Sequence, residues 1–81
     1  MSFTIREISD IILKVLSEEH RKEPYASHID INNIFQAADL KESYEKLELA
    51  VELLETEECI EVKRTSDHKL YAIGITTMGK L

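Results

Sequence analysis

The sequence predicts a mainly helical α+β fold: three helices, a β-hairpin, then the start of a fourth helix at the C-terminus. Three observations carry this. Apolar residues recur at helical spacing as far as Glu58, the period then switches to two, and turn-forming residues are scarce. Two glycines and one proline in 81 residues are too few for a small sandwich or barrel. A chain of this length makes one domain, 1–81. It buries about 60–65% of the surface its unfolded form exposes, which leaves one small core. With 43% hydrophobic and 32% charged residues it is too apolar to stay disordered.

The first helix begins with a capping box, Thr4 with Glu7, flanked by Phe3 and Ile8 in the positions of a hydrophobic staple. Ile5, Ile8, Ile11, Ile12, Val15 and Leu16 fall on one face. Leu13 lies off that stripe, beside Ser9 and Lys14. Residues 18–23 are all polar, and Pro24 ends any continuation. The stretch PYASHID, residues 24–30, reads as a short extended link. Asp30 then caps a short second helix with Ile31, Ile34, Phe35 and Ala38 inward, ending near Asp39. A third, longer helix is capped either by Asp39 with Glu42 or by Ser43. It places Leu40, Tyr44, Leu47, Val51 and Leu54 on one face and runs to Glu57 or Glu58.

Beyond it, Ile60 and Val62 alternate with Glu61 and Lys63, and Tyr71 and Ile73 with Leu70 and Ala72. This predicts a hairpin around a polar tip. Its second strand is apolar on both faces, so it should be covered on both sides or paired centrally. Gly74 is expected to break that strand, and ITTMGKL, residues 75–81, to open the last helix.

Three helices followed by a hairpin with a polar tip is an order similar to the winged helix-turn-helix family of small bacterial or archaeal regulators. LLETEECIEVKR resembles the family's passage from helix three into its wing, and ITTMGKL the threonine-x-x-glycine segment that follows the wing. The resemblance covers roughly residues 4–81. The family usually has glycine where this chain has Glu58 or Cys59, so the helix-to-strand junction is expected to be made in some other way.

No residue pattern points to catalysis. Cys59 with a histidine would make a nucleophile pair. Between a helix end and an apolar strand, however, cysteine reads as a small hydrophobe. His20, His28 and His68 lack metal-ligand spacing. The carboxylates are dispersed along helix faces, and no glycine-rich phosphate loop is present. No enzyme, metal or cofactor is expected. The single cysteine fits a reducing compartment. Arg6, Glu7 and Asp10 among the first isoleucines are unlike a signal peptide. No apolar run nears the roughly 20 residues of a membrane span. The expectation is a soluble cytoplasmic protein.

The resemblance implies transcription regulation, with helix three in the DNA major groove and the wing on the backbone. The charges qualify this. The chain carries a net −6, and residues 41–58 hold seven glutamates against two lysines. The outward face of helix three holds Lys41, Glu45, Glu48, Leu49, Glu52 and Thr56, a surface that repels phosphate. DNA contact would therefore fall to Lys41, Ser43 and Lys46 at the start of helix three. The wing would add Lys63, Arg64, His68 and Lys69. Edge strands also carry lysine and arginine simply to discourage sheet-to-sheet aggregation. The rival reading is protein–protein interaction or dimerisation without DNA contact. Leu13 and Leu49, apolar where solvent is expected, would then form the surface, with a homodimer using helix one and the segment after Gly74.

Overall fold

The computed structural model describes residues 3–76. The first helix, α1, spans Ile5–Lys22 and starts at the predicted capping box. The Thr4 hydroxyl accepts the Glu7 N–H at 3.1 Å, and the Glu7 carboxylate accepts the Thr4 N–H at 2.9 Å. Two of the N–H groups that every helix start leaves without partners are thereby satisfied. Ile8, Ile12 and Leu16 are fully buried. Ser9 is buried among them, its hydroxyl donating to the Arg6 carbonyl. Leu13 is half-buried and packs against the core, so it is not the exposed leucine its position on the helical wheel suggests. A helix packed on two sides buries more than one stripe, and α1 contacts both other helices and the sheet. Phe3, the expected staple, is 38% exposed, and its N–H donates to Glu42.

The link after Pro24 is more than extended chain. Its last two residues, Ile29–Asp30, form a short strand, β1. Asp30 also caps α2, Ile31–Ala38, accepting the Asn32 N–H at 2.8 Å. Ile31 and Ile34 are buried, and Asp39 closes the helix in the left-handed conformation at φ 49°. Helix α3, Tyr44–Thr56, is capped by Ser43, whose hydroxyl accepts the Lys46 N–H at 3.3 Å. Its buried stripe is Leu47, Ala50, Val51 and Leu54. Tyr44, expected to point inward, is 47% exposed and packs edge-to-face on Phe35. Ala50, four residues before Leu54, supplies the small residue at which α3 meets the core.

The hairpin comprises β2, Ile60–Arg64, and β3, Leu70–Ile75. The sheet is antiparallel in the order β1-β3-β2, with Ile73 opposite both Ile29 and Val62. The central position of β3 accounts for its two apolar faces: Leu70, Ala72, Ile73 and Gly74 are all buried. The layout is mainly helical α+β and compatible with a winged helix.

Three expectations change here. Glu58 takes the left-handed conformation itself, at φ 62°. Its N–H reaches the Glu55 carbonyl and the Cys59 N–H the Leu54 carbonyl, both at 3.0 Å. This is the Schellman closure normally completed by glycine, so the junction is made in the usual way with an unusual residue. Gly74 does not break β3; it pairs with Glu61. A Cβ there would run into the Ser27 carbonyl oxygen, so glycine lets the chain entering β1 cross close to the strand. Ile75 pairs with Ile60 as the end of β3 and does not begin a helix. The rest of the expected fourth helix, residues 77–81, lies outside the described residues.

Candidate functional site

The outward face of α3 is acidic. Glu45, Leu49, Glu52 and Thr56 are exposed, and Glu48 is half-buried. Leu49, 52% exposed, sits among these carboxylates. Their common orientation follows from helical spacing: residues at 45, 48, 49, 52 and 56 recur three or four apart, opposite the buried stripe.

The wing meets this face through Arg64. Its Nη1 and Nη2 donate to Glu55 Oε2 and Oε1 at 3.2 and 3.0 Å, a two-pronged pair. The Glu55 hydrogen bonds raise the Arg64 pKa above its ordinary value, with Glu55, Glu52 and Glu48 adding by charge. The last-named carboxylates mark the side of α3 that flanks the base of the wing. The hairpin tip is built by the His68 N–H to the Thr65 carbonyl and the Thr65 N–H to the Lys69 carbonyl, both 2.9 Å. His68 takes the left-handed conformation at φ 63°. This turn leaves Lys63, His68 and Lys69 exposed, and none of them makes an ion pair among the described residues.

At the other end of α3 the basic residues are more constrained. Lys46 sits 3.3 Å from Glu42. The Ser43 hydroxyl is occupied as the helix cap. Lys41 is exposed in the loop between α2 and α3. Twelve residues, about 18 Å at 1.5 Å per residue, separate Ser43 from Glu55 along α3. The seven residues expected to contact DNA thus fall into two groups at opposite ends of the helix. Glu45, Glu48 and Glu52 lie between them.

Several long-range contacts had no sequence signal, because each joins residues far apart in the chain. The Glu42 carboxylate accepts the Phe3 N–H at 3.0 Å, which with Lys46 holds it below the usual carboxylate range. Arg6 forks onto Glu57 at 2.7 and 2.9 Å, tying the start of α1 to the end of α3 and lowering the Glu57 pKa. His28 Nε2 lies 3.6 Å from Glu61, across β3.

A groove of about 450 Å³ opens between α2 and α3. Phe35 and Tyr44 form its aromatic side, at 5.6 Å between ring centres and 79° between planes. Asn32, Gln36 and Glu42 supply polar groups.

Cys59 is half-buried against the core, with its thiol 3.8 Å from the Glu57 carbonyl. Among the described residues no group of three His, Cys, Asp or Glu side chains is placed to hold a metal ion, and no helix is long and apolar enough to cross a membrane. Compared with protein-family models, curated proteins and solved structures, the chain has no match.

Proposed function

We propose that the chain is a winged-helix protein-interaction module whose acidic third helix docks a cationic partner surface. The carrying observation is the Arg64–Glu55 fork. It places the wing's arginine against the carboxylates of α3, so its charge offsets theirs and is not offered outward. An exposed pair of this kind stabilises by only about 0.2–1 kcal/mol, so it does not lock the wing. Its weight is electrostatic: Glu45, Glu48 and Glu52 still dominate the outward face. Such a face repels a phosphate backbone and attracts a basic helix, with Leu49 as its apolar contact.

DNA binding is a second reading, favoured by one observation. Lys63 and Lys69, exposed at the wing, make no ion pair among the described residues. Dimerisation through Leu13 is less favoured, since that side chain is half-buried in the chain's own core.

Two measurements at low salt separate these readings. Calorimetric titration with an amphipathic leucine–lysine helix should show binding, weakened by Leu49→Ala and by Glu52→Gln. An electrophoretic assay with random duplex DNA should show no shift. A duplex shift that Lys63→Ala with Lys69→Ala abolishes would establish the DNA reading instead. The log–log salt slope of that binding should then shrink by about 0.9 for each phosphate the variant no longer neutralises.

A further inference from the structure

We infer that the groove between α2 and α3 is a pocket for an arginine side chain of the partner's polypeptide. The inference rests on the protein-interaction reading above and names the site that would give it specificity. The groove holds about 450 Å³, within the usual range of ligand pockets. Its chemistry selects the occupant. Phe35 and Tyr44, nearly perpendicular, present aromatic surface on which a flat guanidinium can stack. Leu40 and Leu47 offer apolar contact to the methylene stem.

Glu42, whose charge is shared with Lys46, supplies hydrogen-bond acceptors. Its side chain is one-tenth exposed, yet two acceptor positions remain after Phe3 N–H and Lys46 are served. A carboxylate beside aromatic faces matches the forked, planar donor set of arginine better than the point charge of lysine. Asn32 and Gln36 complete the recognition. Neither side-chain amide makes a hydrogen bond among the described residues, so both are available to the backbone of an extended peptide. Two lysines lie near: Lys46, which is paired with Glu42, and Lys41, which is exposed and makes no ion pair among the described residues. Glu48 is close enough to Tyr44 to raise its hydroxyl pKa together with burial, the larger cause, which places further negative charge at the groove's edge.

The test is an amide-resolved NMR titration of the whole chain with three blocked tripeptides, Gly-Arg-Gly, Gly-Lys-Gly and Gly-norleucine-Gly. The arginine peptide should shift the amides of Phe35, Gln36 and Tyr44, the lysine peptide less, and the norleucine peptide not at all. Tyr44→Leu should weaken the arginine peptide about two- to fivefold, the scale of an exposed cation–π contact. Glu42→Gln, which keeps an acceptor for the Phe3 N–H, should weaken it as well. Glu52→Gln, on the outer face, should leave it unchanged. A thermal melt shows whether each variant is folded; if Tyr44→Leu is not, Glu42→Gln decides. Equal shifts from norleucine would overturn the cationic occupant. Shifts confined to Glu45, Leu49 and Glu52, insensitive to Tyr44→Leu, would overturn the groove while leaving the docking reading standing. No shift with any peptide would also overturn the groove; the leucine–lysine helix titration then decides the docking reading separately.

Discussion

Glu58 holds a backbone conformation that costs a residue with a Cβ roughly 1–2 kcal/mol. It is retained because the Schellman hydrogen bonds and the following strand leave the chain no other exit from α3. Glycine would relieve that cost but lose more entropy on folding, so Glu58→Gly should stabilise by about 0.5–1 kcal/mol in urea titration. A destabilised variant would mean that the Glu58 side chain contributes something the backbone geometry does not show. Gly74 is the opposite case. Its φ is not positive, but its missing Cβ gives room to the Ser27 carbonyl. Gly74→Ala should therefore destabilise by about 1–3 kcal/mol, as overpacking does. An unchanged melting temperature would show that the chain entering β1 can move aside freely.

Among the elements, α3 tests the division between core and surface. Leu47 is 6% exposed and Leu49 52%, two residues apart on opposite sides of one helix. Leu47→Ala should cost about 2–5 kcal/mol, the range for a buried leucine. Leu49→Ala should stay within about 0.5 kcal/mol, the surface value. If the two cost the same by chemical denaturation, the face of α3 packed on α1 is assigned wrongly. The pattern of leucines and valines made most of this stripe legible. Tyr44 departed from it because its ring packs edge-to-face on Phe35 of α2 and stays half exposed there. No spacing rule reveals which neighbour a helix end will meet.

Across the entire fold, three carboxylates tie the N-terminal region together. Glu7 bonds Thr4, Glu42 bonds the Phe3 N–H, and Glu57 bonds Arg6; each bond favours the charged form and lowers the pKa. A carboxylate with a folded pKa below its unfolded value stabilises above the unfolded value and loses that contribution as pH falls through the folded one. The protein should therefore hold constant stability through neutral pH and lose it progressively below about 4.3, the ordinary glutamate value. Glu57→Gln should flatten part of that acid limb in melts recorded from pH 6 downward. An unaltered acid profile in the variant would show that the Arg6–Glu57 fork contributes nothing to folding.

Local spacing along the chain dictates the helices, their caps at Thr4 and Asp30, the hairpin and the acid character of α3. A capping side-chain oxygen accepts an N–H two or three residues on, and apolar residues three or four apart share a face, so these features can be read without the fold. The apolar faces of the last strand indicated that it would be either covered on both sides or paired centrally, and it is paired centrally. The strand β1 is different in kind, because two residues, Ile29 and Asp30, become a strand only when β3 lies beside them. The use made of the basic residues is equally a product of folding. Arg64 and Lys63 are neighbours of the same charge type, yet Arg64 turns to Glu55 while Lys63 makes no ion pair among the described residues. A side chain's electrostatic role depends on what folding brings within a few ångströms, and charge at that range is invisible to a reading along the chain.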